Sequence, residues 1–232
     1  MLKPKSLNFE VDTADLSMND IQSLYNIFFH AKDYDWWYEV LPGDYVVDIG
    51  AGIGMFSAKA LDAGAARVFM IEPCRDLLKT AVKNVSDHII DHQDTPTVIP
   101  INAAIGKTDI DLSNIYGGDD NVKLMGLMEL CETYGIAEID FLKISAAGAE
   151  YSVLSDNMDW IATHVRHTAV RCHLDAQYGG TRKFKEWRDS FLKPMTDLGR
   201  VFYKDNTYYE KVASDDFNDL LPRSFMVYIK NW

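Results

Sequence analysis

The sequence predicts an α/β fold, a mostly parallel sheet with helices packed on both faces. Three observations predict it. Short, continuously apolar strands recur from residue 45 onward, helical stretches alternate with them, and a glycine-rich turn joins the first strand to the helix that follows. A strand that is apolar at every position must be covered on both faces, and crossover helices supply that cover in a parallel sheet.

The elements follow in order. Ser17 precedes a run in which Ile21, Leu24, Tyr25 and Phe28 recur at helical spacing, with Asp20 placed as in an acidic capping box, so a helix is expected over about 18–31. The aromatic run Tyr34 to Tyr38 and the turn residues Pro42-Gly43-Asp44 then lead into the core. Strands are expected at Tyr45 to Ile49, Arg67 to Ile71, Thr97 to Ile101, Ile139 to Ile144 and Thr168 to His173. Helices are expected at Met55 to Ala63 and Cys74 to Val85, and near 124–134, 149–161 and 181–193. Arg200 to Lys204, Tyr208 to Val212 and Phe225 to Lys230 read as strands with no long helix between them, which suggests an antiparallel hairpin at one sheet edge. No repeat, low-complexity tract or linker divides the chain, so a single domain over 1–232 is expected, with an N-terminal extension at 1–40 and the core at 41–232.

Composition narrows the function. Against 23 Lys and Arg stand 35 Asp and Glu, a net charge of −12, and the basic residues are scattered. Such a field repels phosphate backbones and anionic lipid, so nucleic acid and membrane are not expected partners. Cys74, Cys131 and Cys172 make no C-x-x-C pair, which suits reduced thiols in a cytoplasmic protein. No segment reaches the roughly 18 apolar residues of a membrane span. His88 and His92 share a helical spacing but lack the glutamate of a zinc-peptidase motif, so no metal is expected there. Oligomeric state is not legible.

The chemistry concentrates at Asp48-Ile49-Gly50-Ala51-Gly52-Ile53-Gly54, where a strand ends and a helix begins. Glycines there allow a tight turn and close approach of backbone amides to a ligand, and the helix N-terminus adds N–H donors. Glu72 ends the next strand, where a carboxylate can accept hydrogen bonds from both hydroxyls of a ribose. The G-x-G-x-G spacing after an acid, in place of G-x-G-x-x-G, resembles motif I of class I methyltransferases.

The segments Val46 to Ser57 and Phe69 to Pro73, with Ile101-Asn102-Ala103-Ala104-Ile105-Gly106 and Ile139 to Glu150, resemble the FkbM family of S-adenosylmethionine-dependent methyltransferases. The likeness covers about residues 41–175. It implies a Rossmann-like class I methyltransferase fold, with a mostly parallel seven-stranded sheet and an antiparallel C-terminal edge strand. It also implies S-adenosylmethionine as cofactor and a small-molecule or sugar hydroxyl as methyl acceptor. Asp48, Gly50, Gly52 and Gly54 would then line the methionine and sulfonium end, Glu72 would hold the ribose and Asn102 would lie near the adenine, with Ala51, Pro73 and Ala103 also cofactor-binding. The chain departs from the family's K-I-D-x-E-G-A-E, since Ser145 and Ala147 stand where carboxylates are usual, and Arg171 replaces a frequent acid two residues before His173.

Methyl transfer to a hydroxyl needs alignment and a base. In an open α/β sheet the acceptor sits beyond the carboxyl ends of the strands, which selects Ser145, His173 and Asp175 as catalytic candidates, with His173 as the base. Lys143 reads as an orienting cation. Trp36, Trp37 and Tyr38 read as core-packing residues that could alternatively wall an acceptor pocket, and Gly117-Gly118-Asp119-Asp120 reads as a surface turn or lid. The competing reading is a non-catalytic S-adenosylmethionine-binding protein that has lost its acids.

Overall fold

A computed structural model of the chain describes residues 17, 19, 23–24, 27, 33–89, 97–106, 122–174, 180–204, 206–214 and 224–232. The helix expected over 18–31 lies largely outside these residues, and so do Asp175, His92 and the loop at 117–120. Two compact units are present, divided at Ala104 and Lys123.

In the first unit, β1 (Tyr45–Ile49), β2 (Arg67–Ile71) and β3 (Thr97–Ile101) run parallel, with α1 (Met55–Asp62) and α2 (Arg75–Ile89) as the crossovers. Val46, Val47, Asp48 and Ile49 of β1 are all buried, as a strand covered on both faces requires. Leu78, Ala81 and Val85 recur at helical spacing on α2 and are buried together. Tyr34 packs edge-on against Phe56 of α1 at 5.8 Å between ring centroids. The register is flush, with Ile49 opposite Ile71 and Ile71 opposite Ile101. The residues leaving the three strands, Gly50, Glu72 and Asn102, therefore emerge side by side at one edge. Asp44 braces the entry, its Oδ2 accepting from the Leu41 amide at 2.9 Å.

After β3, β4 (Ala103–Ile105) and β5 (Lys123–Met125) form a separate two-stranded sheet. Next come α3 (Leu127–Tyr134) and β6 (Ile139–Ile144), then α4 (Glu150–Ser155), α5 (Met158–His164) and β7 (Val165–His173). The chain continues through α6 (Gly180–Trp187), a π-helical turn (Arg188–Leu192), α7 (Lys193–Asp197), β8 (Val201–Phe202), α8 (Asn206–Ala213) and β9 (Ser224–Lys230). The seven-stranded sheet has the order β3-β2-β1 in the first unit and β6-β7-β9-β8 in the second. β6 and β7 are parallel, whereas β9 is antiparallel to both β7 and β8. The mostly parallel sheet with an antiparallel C-terminal edge is thus as expected.

Three elements differ from expectation. Tyr208 to Val212, read as a strand on its Tyr and Val content, lies within α8. Its last carbonyls are held from outside, because the Arg188 guanidinium donates to Val212 O and Ser214 O at 3.1 Å each. The helix expected over 149–161 breaks into α4 and α5 at Asp156-Asn157, where the Asn157 side chain donates to Val153 O at 2.7 Å. Trp36 and Trp37 are 39% and 42% exposed and Tyr38 is half-buried, so the core-packing expectation fails for the two tryptophans, while their neighbour Tyr34 is buried.

The second unit's core is aromatic. Trp187 stacks on Phe191 at 5.5 Å, Tyr151 meets Trp187 at 5.4 Å, and Phe184 meets Phe225 edge-on at 5.4 Å. Each such ring contributes about 2–3 kcal/mol on burial. The cluster also fixes where Tyr151 aims its hydroxyl.

Candidate functional site

The first constellation is the turn after β1. Gly50, Gly52 and Gly54 have φ of 77°, 57° and 82°, all in the left-handed region. Gly54 caps α1, and a Cβ there would stand 3.0 Å from Ala81 Cβ and 3.1 Å from Ala81 Cα, so the turn lies tight against α2. A Cβ on Gly52 would meet nothing within 4 Å. The turn is therefore closed on its protein side and open at Gly52. No side chain caps α1 and no acid stands in its first turn, which leaves the helix's positive end to other polar groups.

Hydrogen bonds hold this turn from three directions. The Gly50 and Ala51 amides both donate to Ile71 O at 2.9 Å, tying the β1 exit to β2. Asn84 of α2, buried, donates to Ile53 O at 2.8 Å. Asp48, with no exposed surface, accepts from Ser57 Oγ at 2.7 Å. This places the Asp48 side chain beneath the turn, out of contact with solvent.

Glu72 is the centre of the arrangement. Its Oε2 accepts from the Gly52 amide at 2.8 Å and its Oε1 from the Cys74 amide at 2.9 Å. A carboxylate has about four acceptor positions, so one group can both fix the turn and receive hydroxyl donors from a ligand. Asn102 donates from its side chain to Glu72 O at 3.0 Å and Pro73 O at 2.8 Å, so both of its N–H donors face the chain. It acts as the brace of the β2 exit. Ala103 follows, buried, at the start of β4. An open glycine position beside a carboxylate, with an uncapped helix start, fits a ligand carrying a vicinal diol and a charged amino-acid end.

The second constellation stands in the other unit, at the ends of β6 and β7. Ser145 is the first residue after β6 and is half-buried, and His173 is the last of β7. Between them the chain takes Ala147 at φ 50° and Gly148 at φ 93°, two left-handed residues in succession. Ala147 is the one non-glycine residue at positive φ among the described residues, a conformation that costs an L-residue about 1–2 kcal/mol. This turn aims the Gly148 amide at Glu150 Oε2, 2.7 Å away.

Glu150 is fully buried and joins the two strand ends. Its Oε1 accepts from the His173 amide at 2.8 Å and lies 3.0 Å from His173 Nδ1. Tyr151 donates its hydroxyl to His173 O at 2.7 Å. Burial, then Cys172 and Glu150, push the Tyr151 phenol up, which keeps it a donor. His173 is thus gripped at its main-chain N–H, its carbonyl and its ring, while its side chain is 17% exposed. Sequence reasoning selected His173 and Ser145 but not Glu150, Tyr151 or Asn84. A glutamate at the first turn of a helix directly after a strand-end glycine was the available signal for Glu150.

Other titratable groups point away from these chemistries. Burial, with Glu132 nearby, raises the Cys131 thiol to about 12, and burial also raises Cys172, so neither thiol is a nucleophile at neutral pH. His167 stands towards the opposite end of β7, and burial followed by Arg166 and Lys230 lowers it to about 4. Lys143 is buried within β6. Among the described residues no group of three or more His, Cys, Asp or Glu is placed to hold a metal ion.

A family profile described as the Methyltransferase FkbM domain matches residues 48–202, well over half of the chain. The chain belongs to the FkbM methyltransferase family. S-adenosylmethionine is the cofactor of that family, and the turn with Glu72 is the part of the chain that fits it. A search of the curated proteins returned no match. Among solved structures, an FkbM methyltransferase from Methylobacillus flagellatus is similar at 17% identity and a TM-score of 0.51, over 92% of this chain and 55% of that one. This chain thus spans little more than half the length of that relative. A protein from Clostridium thermocellum described as an rRNA-methylase is similar at 14% identity and a TM-score of 0.47, over 94% and 97%. A magnesium protoporphyrin IX methyltransferase from Synechocystis, with bound S-adenosylmethionine, is similar at 14% identity and a TM-score of 0.42, over 92% and 79%. The likeness to the Methylobacillus flagellatus protein concerns the fold alone. Among the described residues no helix is long and apolar enough to cross a membrane.

Proposed function

We propose that this chain is an S-adenosylmethionine-dependent methyltransferase acting on a hydroxyl of a small molecule or sugar in the cytoplasm. The observation that carries the reading is the Glu72 carboxylate bonded to the Gly52 amide, where the glycine turn opens to free space. When bound, S-adenosylmethionine supplies an electrophilic methyl carbon on a positively charged sulfur. In this reading Glu72 receives the ribose hydroxyls, and the buried Asp48 charge favours the cationic end. Asn102 and Pro73 keep Glu72 in place. The α1 start offers its amides to the ligand's carboxylate.

In the second unit His173 takes the acceptor's proton, a role that suits an imidazole near neutral pH. Ser145 and Asp175 orient the acceptor. The net charge of −12 supports a small acceptor over a nucleic acid.

Transfer of an isotopically labelled methyl group to a panel of hydroxylated small molecules tests the proposal. One productive acceptor is expected, with turnover falling about 100-fold or more in His173→Ala. Full turnover in that variant would remove His173 as the base. The missing carboxylates at Ser145 and Ala147 favour a second reading, a binding protein without transferase activity. Tight cofactor binding with no transfer to any acceptor, RNA included, would select it.

A further inference from the structure

The base assigned to His173 needs its lone pair on one particular nitrogen, and the structure contains a group able to decide which. Glu150 Oε1 lies 3.0 Å from His173 Nδ1 and 2.8 Å from the His173 amide, and Oε2 is anchored by the Gly148 amide at 2.7 Å. The carboxylate has no exposed surface, so water does not compete for it. Held by two backbone donors, one on the turn after β6 and one at the end of β7, it cannot swing away from the ring.

We propose that Glu150 is a positioning residue that fixes neutral His173 in the tautomer carrying its proton on Nδ1, so that Nε2 bears the basic lone pair. The inference rests on the reading of His173 as the base. In the opposite tautomer a lone pair on Nδ1 would face a carboxylate oxygen at hydrogen-bond distance, in a buried site where that repulsion is strong. With the proton on Nδ1, the contact is a charge-assisted hydrogen bond. The acceptor's O–H bond breaks towards Nε2 and its electron pair stays on oxygen. The imidazolium that forms keeps its Nδ1 proton beside the Glu150 charge. The Tyr151 hydroxyl on His173 O, 2.7 Å away, holds the main chain from the other side, so the ring orientation follows from both neighbours of the α4 start.

The arrangement also gives the left-handed pair Ala147-Gly148 a purpose, since that turn directs the Gly148 amide onto the carboxylate. Glu150 matches the last acid of K-I-D-x-E-G-A-E, so this negative charge beside the base is kept where the acids at 145 and 147 are absent.

Long-range proton–nitrogen NMR correlation on the full chain labelled with 15N-histidine tests this without substrate or cofactor. The chain has six histidines, and His173→Gln assigns the signal. At about pH 8.5, two units above the ordinary histidine value, His173 should show a protonated-type Nδ1 shift and an unprotonated-type Nε2 shift. In Glu150→Ala the two shifts should move towards each other or exchange. A wild-type His173 with its proton on Nε2 overturns the proposal whether or not the variant folds. A folded Glu150→Ala chain that keeps the wild-type pattern overturns it as well. Neither result bears on cofactor binding, and a chain that bound no S-adenosylmethionine would leave the tautomer assignment standing.

Discussion

Replacing Gly52 by alanine separates what the glycine turn does for the fold from what it does for a ligand. Gly52 has φ 57°, and an added Cβ meets nothing within 4 Å. The cost to folding is then the left-handed conformation alone, about 1–2 kcal/mol, offset by roughly 0.4–1 kcal/mol from the stiffer unfolded chain. A net loss of about 1 kcal/mol is expected by urea titration. The amide bond to Glu72 Oε2 persists, because alanine keeps its N–H. The added methyl enters the open side of the turn, so S-adenosylhomocysteine should bind at least about tenfold more weakly by calorimetry, a change of about 1.4 kcal/mol. Gly54→Ala provides the contrast. Its Cβ would meet three Ala81 atoms between 3.0 and 3.2 Å away, at φ 82°. Overpacking of about 1–3 kcal/mol adds there to the conformational cost, and urea should unfold the chain much sooner. Wild-type affinity in a folded Gly52→Ala chain would refute the assignment of this turn as the cradle, and equal stability of the two variants would refute the packing argument.

Four further outcomes follow from the same geometry. Glu72→Gln exchanges one acceptor oxygen for an amide N–H facing a backbone donor, and calorimetry should show cofactor affinity reduced about tenfold to hundredfold. Ala147→Gly removes the left-handed strain at φ 50° and should stabilise the chain by about 0.5–1 kcal/mol in urea, with no gain if the turn is unstrained. Arg188→Met removes two bonds from the end of α8 and should cost about 1–3 kcal/mol of stability. His167 is lowered from 6.5 to about 4, so unfolding takes up a proton between those values. Its contribution is complete above pH 6.5 and lost as the pH falls towards about 4, with a slope of at most about 1.4 kcal/mol per unit that His167→Gln should abolish.

The parts of the fold legible in the sequence are those set by local pattern. β1, β2 and β6 read as apolar runs because both faces are covered, and the glycine spacing with Glu72 read as a cradle because turn and strand end lie only some twenty residues apart. What was not legible depends on distant partners. Asn84 reaches Ile53 across 31 residues and Glu150 reaches His173 across 23, so the partner of each lies beyond the pattern of its own segment. Tyr208 to Val212 has strand-like composition, yet it is helical, and Arg188 from the π-helical turn satisfies its terminal carbonyls. An aromatic cluster ahead of the first strand reads as core, yet Trp36 and Trp37 are exposed and Tyr34 occupies the position against Phe56.

The central claim is that the turn from Gly50 to Gly54, with Glu72, holds an adenosyl cofactor. Titration calorimetry of the unmodified chain with S-adenosylmethionine and S-adenosylhomocysteine tests it most directly. One site per chain is expected for each ligand, with a dissociation constant in the micromolar range. No heat and no binding by either ligand at high micromolar concentration would contradict the account.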